Sequence, residues 1–166
     1  MQGLIIENKA NLYKIKLGDI NYIATARGKF KNDSFTPVVG DIAEFSIVDE
    51  NKKTAVIESV KERVSYIKRP KLANINQIVF VVSSKHPKPD LLLLDKQLAF
   101  AEFLHIKPVI VLNKIDLDDK HEFLNIQKIY EEIGYKVIQT DAKNGIGVEE
   151  ILLELKNNIS AFAGNS

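Results

Sequence analysis

The spacing of apolar residues along this 166-residue chain changes near Pro70. Before that point, short alternating apolar runs are separated by turn residues, and no segment has a convincing helical period. After it, runs rich in β-branched residues alternate with segments of helical spacing. We therefore predict two domains of different fold class, residues 1–70 and residues 71–166.

Residues 1–70 are predicted to form a small all-β barrel. Short alternating runs at 4–7, 12–17, 22–26, 42–48 and 54–60 are the expected strands. Five short strands at this density favour a closed or partly closed barrel of the oligonucleotide-binding (OB) type.

Residues 71–166 are predicted to form a parallel sheet covered by helices. The expected order is strand 75–82, helix 91–106, strand 109–112, helix 120–133, strand 135–139, helix 148–158 and strand 159–163. Such alternation is typical of parallel α/β domains with right-handed connections. Because ligands of these sheets bind beyond the carboxyl ends of the strands, chemistry is expected in the loops that follow them.

Composition excludes several classes of protein. The chain has no cysteine, so these residues hold no disulfide, thiolate zinc site or catalytic thiol. His86, His105 and His121 are isolated in the sequence, so no metal site is expected within this chain. No apolar run reaches the ~18 residues of a membrane span, and the amino terminus lacks the pattern of a signal peptide. We expect a cytoplasmic monomer without membrane attachment.

Charge is divided unevenly between the two halves. Residues 1–70 carry 12 basic and 9 acidic side chains, net +3, and residues 71–166 carry 11 and 13, net −2. Basic surfaces attract the phosphates of nucleic acids. Arg27, Lys29 and Lys31 fall at alternate positions, so an extended segment would present them on one face. Such a face suits RNA, and it equally suits a solvated strand edge on which lysines discourage aggregation.

The loop after the expected strand 109–112 reads Asn113-Lys114-Ile115-Asp116. A carboxylate at Asp116 can accept hydrogen bonds from N1–H and the exocyclic amine of guanine, whereas adenine offers no amine at that edge. A polar group left unpaired by the wrong base can discriminate by ~10⁴. Asn113 is expected to bind the base edge and to tie neighbouring loops together, and the stem of Lys114 to lie over the ring. The alternative is an ordinary turn in which Asp116 or Asp118 caps a helix.

The next loop, Thr140-Asp141-Ala142-Lys143, follows the expected strand 135–139. This loop is expected to bind the base mostly through its main chain, with Ala142 donating its N–H to guanine O6. The alternative is a simple turn at Asn144 and Gly145.

The last loop begins with Gly164-Asn165-Ser166. A phosphate-binding loop is built as a strand, then G-x-x-x-x-G-K-[ST], then a helix. No such pattern occurs upstream of Asn113, and Gly164 stands where its first glycine would be.

The order of these features resembles the circularly permuted ribosome-small-subunit-dependent GTPase A, or YjeQ, family, in which the guanine-specificity motifs precede the phosphate loop. Stretches at 26–30, 37–41 and 73–77 are also similar to the family's pattern. The resemblance implies an OB barrel, a permuted GTPase domain and a carboxyl-terminal zinc domain. It also implies a protein that binds GTP or GDP with Mg²⁺, contacts the small (30S) ribosomal subunit and its 16S rRNA, acts late in maturation of that subunit, and hydrolyses GTP faster when bound to it.

Roles follow from the resemblance by position. It assigns guanine selection to Asn113, Lys114 and Asp116, closure over the base to Ala142 and Lys143, the start of the phosphate loop to Gly164, Asn165 and Ser166, and rRNA contact to Arg27, Lys29 and Lys31. Asp141 departs from the family pattern, which commonly has serine there, and adds a carboxylate near the base.

The remaining catalytic parts are expected beyond Ser166. These are the phosphate-loop lysine, the residue that holds Mg²⁺, the switch segments and the zinc ligands. The chain alone is therefore expected to lack GTPase activity and to bind guanine weakly. The open alternative is a non-catalytic RNA-binding OB module joined to a degenerate nucleotide-binding α/β half.

Overall fold

The computed structural model describes residues 1–28, 36–119 and 122–164. They form two compact units, Met1–Asn74 and Ile75–Ser166. The units divide after Asn74 rather than at Pro70, because two short strands on either side of Pro70 pair with each other. These strands, β6 (Tyr66–Lys68) and β7 (Lys71–Ala73), form an antiparallel hairpin within the first unit.

The first unit contains a closed five-stranded barrel. Its strands are β1 (Gln2–Lys9), β2 (Leu12–Leu17), β3 (Ile20–Ala26), β4 (Ile42–Asp49) and β5 (Thr54–Val60). The order around the barrel is β1-β2-β3-β5-β4, and β4 pairs with β1 to close it. Strands β3 and β5 are parallel, and the other neighbours are antiparallel. The prediction of a small OB-type barrel is confirmed.

Alternate residues of the barrel strands fill its core. Ile5, Tyr13, Ile15 and Phe45 are almost completely buried, because successive side chains of a strand point to opposite faces. The ring of Tyr22 lies 5.5 Å from that of Phe45. Tyr13 and Tyr22 are thus core residues, as expected for most aromatics in so small a barrel.

A buried ion pair fixes the turn before β4. The carboxylate of Asp41 is fully buried and accepts hydrogen bonds from the Val38 N–H at 2.8 Å and from two guanidinium nitrogens of Arg63, each at 2.8 Å. These bonds raise the pKa of Arg63. Arg63 also lies over the ring of Tyr66, 4.6 Å from its centroid. The segment 37–41 is therefore a structural turn.

The described part of the second unit is a parallel four-stranded sheet with three α-helices. The strands are β8 (Gln77–Ser83), β9 (Lys107–Asn113), β10 (Lys136–Thr140) and β11 (Ser160–Gly164), in the order β10-β9-β8-β11. All neighbouring pairs are parallel. The helices are α1 (Leu91–Phe103), α2 (Glu122–Ile133) and α3 (Val148–Leu155). The predicted α/β fold is confirmed.

Burial on both faces explains the apolar runs of this sheet. Strands β8 and β9 are its two central strands, and four consecutive residues of each are buried, as expected for a parallel sheet covered by helices. Helix α1 begins at Asp90, whose carboxylate accepts the N–H of Leu93 at 2.9 Å. Tyr130 of α2 donates to Asp95 of α1 at 2.6 Å; burial, and then this hydrogen bond, raise the pKa of Tyr130.

Candidate functional site

The ends of the four parallel strands lie along one edge of the sheet. Asn113 at the end of β9 is in register with Ser83 of β8 on one side and with Thr140 of β10 on the other. Gly164 of β11 is in register with Val81 of β8. The three loops singled out from the sequence therefore start from the same edge, where ligands of parallel sheets bind.

Asn113 joins the first two of these loops. Its Oδ1 accepts a hydrogen bond from the Thr140 hydroxyl at 3.0 Å and another from the Ala142 N–H at 3.2 Å. Its side-chain amide nitrogen has no partner among the described residues. The oxygen of Asn113 thus holds the loops together, while its NH₂ group remains a donor for a ligand.

Lys114 binds the loop that follows β8. It adopts a left-handed backbone conformation with φ of 65°, and its ammonium group donates to the carbonyl of His86 at 2.6 Å and of Lys85 at 3.1 Å. The charged end of Lys114 is therefore directed at main-chain oxygens. That its stem lies over a base stays a prediction.

Asp116 and Asp118, which follow Asn113, have different environments. Asp118 accepts hydrogen bonds from the first two amides of α2, Glu122 N–H and Phe123 N–H, both at 3.0 Å. The side chain of Asp116 is exposed, and no hydrogen bond or ion pair joins its carboxylate to the described part of the chain. Asp118 is therefore the residue that caps the helix, and the carboxylate of Asp116 is free to meet a ligand.

Asp141 is held within its own turn. Its side chain is only 3% exposed, one oxygen accepts the N–H of Asn144 at 3.2 Å, and the other accepts the side-chain amide of Asn144. The main chain of Asp141 also pairs with Ile146. Both carboxylate oxygens of Asp141 thus accept hydrogen bonds from Asn144.

The other residues of the second and third loops differ in exposure. Ala142 and Lys143 are exposed. The N–H of Ala142 already donates to Oδ1 of Asn113. Its predicted hydrogen bond to guanine O6 would therefore have to share this N–H with Asn113 or displace the Asn113 oxygen from it. A Cβ on Gly164 would lie 2.8 Å from the carbonyl oxygen of Val81, so only glycine fits this approach of β11 to β8. Asn165 and Ser166 lie outside the described residues.

A cleft of about 210 Å³ lies beside the first loop. Its walls come from two short segments, and the described lining residues are Ser84, Lys85, Lys88, Pro89, Leu117, Asp118, Asp119 and Glu122. Lys85 pairs with Asp119 across it and lowers the pKa of that carboxyl. Neither Asp116 nor Ala142 lines this cleft.

The predicted RNA-binding residues lie in the barrel unit. Strand β3 ends at Ala26, and Arg27 follows it, 60% exposed and paired with Glu58 at 2.7 Å. Lys29 and Lys31 lie outside the described residues. Alternation of the three cations on one extended face therefore stays a prediction.

The β6–β7 hairpin presents other cations. Lys68, Arg69 and Lys71 are exposed at its tip and form no ion pair with any described residue. In contrast, Arg63, which precedes these cations by a few residues in the sequence, is bound to Asp41. Its partner could not be found from spacing, since the two residues are far apart in the chain.

Sequence reasoning missed one polar residue at the sheet edge. Ser84, the first residue after β8, donates its N–H to the carbonyl of Asn113 at 3.1 Å and its hydroxyl to the carbonyl of Lys114 at 2.6 Å. A polar side chain directly after a buried strand was the signal that could have identified it.

The described ranges contain neither a candidate metal site nor a candidate membrane-spanning helix. In residues 1–28, 36–119 and 122–164, no cluster of three or more acidic or histidine side chains could hold a metal ion. Over the same ranges, no helix is both long and apolar enough to cross a bilayer.

Solved structures resemble the chain along nearly its whole length. The crystal structure of YjeQ from Thermotoga maritima matches 99% of this chain and 60% of its own, with a TM-score of 0.84 and 31% identity. YloQ, described as a circularly permuted GTPase, matches 99% of this chain and 60% of its own, with a TM-score of 0.81 and 28% identity.

Curated relatives carry one description. The small ribosomal subunit biogenesis GTPase RsgA of Caldanaerobacter subterraneus subsp. tengcongensis is 38% identical over all of this chain and 56% of its own length. That of Ruminiclostridium cellulolyticum is 39% identical over 99% of this chain and 54% of its own. The chain thus spans a little over half the length of these relatives.

Family models account for both halves of the chain. The model described as RsgA N-terminal domain matches residues 2–57, and the model described as RsgA GTPase matches residues 60–166. Together with an OB-type barrel, a parallel sheet and a guanine-type motif at the sheet edge, these matches show that the chain belongs to the RsgA GTPase family.

Proposed function

We propose that this chain is part of a GTP-binding and GTP-hydrolysing factor that acts in late maturation of the 30S ribosomal subunit. The observation that supports this proposal most is that the carboxylate of Asp116 is available to a ligand. Its carboxylate is exposed and unpartnered among the described residues, and the adjacent Asn113 ties together the two loops between which a base would sit. The names of the relatives agree with this reading.

Guanine recognition would be divided among the residues of the first two loops. Asp116 accepts from N1–H and the exocyclic amine, and the free NH₂ group of Asn113 donates to the base edge. Ala142 offers its N–H to O6, and Lys143 closes over the base. Lys114 keeps the first loop in place through residues 85 and 86. An unpaired Asp116 disfavours adenine, which presents an acceptor where the carboxylate needs a donor.

The phosphates would be bound from Gly164 onward, with Asn165 and Ser166 opening the phosphate loop. In the complete protein, Mg²⁺ would neutralise phosphate charge, and zinc would be held by the family's carboxyl-terminal domain. The 166-residue chain alone is proposed to lack turnover, because phosphoryl transfer depends on positioning and charge neutralisation by those further parts. Ribosome binding would increase the rate of hydrolysis.

The barrel unit would contact 16S rRNA in the cytoplasm, as a monomer. Arg27, Lys29 and Lys31 are the proposed contacts, and Lys68, Arg69 and Lys71 at the β6–β7 hairpin add cations that no described carboxylate neutralises. Arg27 would have to exchange Glu58 for a phosphate. Phosphate contacts of this kind supply affinity without reading sequence.

Fluorescent GDP and ADP, titrated separately onto the chain, test base preference. We expect GDP to bind at least ~10-fold more tightly than ADP, since ADP leaves Asp116 unpaired. Equal binding of the two nucleotides would contradict guanine selection and would favour a non-catalytic RNA-binding module instead. GTP hydrolysis by the 166 residues alone that persists in Asp116→Ala would contradict two proposals: that turnover needs further parts of the protein, and that Asp116 selects guanine.

A further inference from the structure

The backbone of the guanine-type motif is held from outside by the segment that follows β8. Ser84 donates its N–H to the Asn113 carbonyl at 3.1 Å and its hydroxyl to the Lys114 carbonyl at 2.6 Å. In return, the Lys114 ammonium donates to the carbonyls of Lys85 at 3.1 Å and His86 at 2.6 Å. Residues 84–86 therefore enclose Lys114 through both its main chain and its side chain.

Lys114 needs this support because its backbone is left-handed, with φ of 65° and ψ of 44°. A residue with a Cβ seldom adopts this region, which crowds the side chain against the carbonyl. The conformation starts the short turn Ile115–Leu117, in which the Leu117 N–H donates to the Lys114 carbonyl at 3.0 Å. The same carbonyl oxygen thus accepts from Ser84 on one side and from Leu117 on the other.

The direction of Asp116 depends on this turn. Asp116 is its central residue, and its carboxylate has no partner among the described residues. Its position is therefore set by the main chain from Lys114 to Leu117 and not by contacts of its own. A group that fixes the Lys114 carbonyl also fixes the direction of the Asp116 Cα–Cβ bond, and with it the space that the carboxylate can reach.

We propose that Ser84 is a positioning residue for guanine recognition, acting through the Lys114 carbonyl to orient Asp116. The proposal rests on the proposed function, because it assumes that Asp116 binds the base. The feature of guanine at stake is its exocyclic amine, since the amine and N1–H are the two donors that a correctly oriented carboxylate can pair with. Hypoxanthine retains N1–H and O6 but lacks the amine.

The test compares GDP with inosine diphosphate on the 166-residue chain, by titration followed with NMR. Four proteins are measured: the unmodified chain, Ser84→Ala, Ser84→Thr, and Ser83→Ala as a matched control. Ser83 is the neighbouring serine, and its hydroxyl forms no hydrogen bond with the described residues. The measured quantity is the ratio of the two affinities, because a general loss of stability lowers the affinity for both nucleotides equally.

We expect Ser84→Ala to lower the GDP-to-inosine-diphosphate affinity ratio about fivefold, the effect of losing one well-formed hydrogen bond. Ser84→Thr, which keeps the hydroxyl, should retain most of the ratio, and Ser83→Ala should retain all of it. The Leu117 amide should also exchange with solvent faster in Ser84→Ala than in Ser83→Ala.

The outcomes separate this inference from the proposed function. If the unmodified chain binds GDP no better than inosine diphosphate, Asp116 does not read the amine and the proposed function itself is contradicted. If the unmodified chain discriminates and folded Ser84→Ala discriminates equally well, only the role of Ser84 is overturned. If Ser84→Ala fails to fold, a low ratio in folded Ser84→Thr overturns the role, and a retained ratio supports it.

Discussion

At the scale of single residues, two aspartates two positions apart have different surroundings that their sequence context left open. Both Asp116 and Asp118 stand where a helix-capping carboxylate is common. The structure shows Asp118 bound to two amides of α2, and Asp116 without a partner in the described ranges. Which of the two aspartates caps the helix could not be predicted from the sequence. It depends on the backbone of the turn Ile115–Leu117, which follows the left-handed residue Lys114.

This difference predicts effects of unequal size for two matched substitutions on the free energy of unfolding. Asp118→Ala should lower the free energy of unfolding by about 1 kcal/mol, because the first amides of α2 lose their acceptor. Asp116→Ala should change it by no more than ~0.5 kcal/mol, as for an exposed residue without contacts. Urea denaturation of both variants measures the two values. Equal destabilisation by the two would contradict the assignment of the cap.

At the scale of secondary structure, local patterns predicted the long elements and missed the short ones. The barrel strands and the four parallel strands follow from alternation and from apolar runs. The hairpin β6–β7 was missed because each strand has three residues, which is too few for a periodic signal. The pairing of Arg63 with Asp41 was missed because it joins distant parts of the chain.

Gly40 provides a test of how the hairpin is attached to the barrel. Its φ is +92°, and a Cβ there would lie 1.9 Å from the carbonyl oxygen of Ala73 in β7. Gly40→Ala should therefore lower the free energy of unfolding by roughly 3 kcal/mol or more. Gly18, with φ of +58° and open space around it, is the control, and Gly18→Ala should cost about 1 kcal/mol for conformation alone. Equal losses in thermal unfolding would contradict the close approach.

The pairing of β1 with β2 predicts an unusually low pKa for the carboxyl group of Glu7. Glu7 lies opposite Lys14, and the hydrogen bonds from Lys14 and then Lys9 lower its pKa from 4.5 to about 2. A lowered pKa means that the ionised pair stabilises the fold above pH 4.5 and that this contribution is lost as the pH falls through about 2. NMR titration of the Glu7 carboxyl should show the low midpoint, and Lys14→Ala should raise it more than Lys9→Ala does. An unchanged midpoint in Lys14→Ala would contradict the pairing.

At the scale of the whole molecule, the predicted fold classes and the family are confirmed, whereas the ligand of each half stays a prediction. The spacing of apolar residues was sufficient for the fold, and the order of the motifs for the family. They could not show that Arg27 is paired with Glu58 or that Asn144 donates to both carboxylate oxygens of Asp141, because such pairings depend on how the strands and turns come together. The binding roles of all the candidate site residues stay predictions, and Lys29, Lys31, Asn165 and Ser166 also lie outside the described residues.

The free cations of the barrel unit predict a salt-dependent affinity for RNA. Replacing Lys68, Arg69 and Lys71 together by glutamine should weaken binding to a single-stranded 16S rRNA fragment. It should also reduce the slope of log affinity against log salt by ~0.7 for each phosphate that the protein no longer neutralises. Arg27→Gln should have a smaller effect, since Glu58 already neutralises that charge. A triple variant with the slope of the unmodified chain would exclude the hairpin from the interface.

The most direct test of base recognition is a change of nucleotide preference caused by Asp116→Asn. An amide at this position can donate to the 2-oxygen of xanthine and still accept from N1–H, but it no longer offers two acceptors to guanine. We expect the unmodified chain to prefer GDP to xanthosine diphosphate, and Asp116→Asn to prefer xanthosine diphosphate to GDP. If Asp116→Asn binds the two nucleotides in the same ratio as the unmodified chain, Asp116 does not read the base.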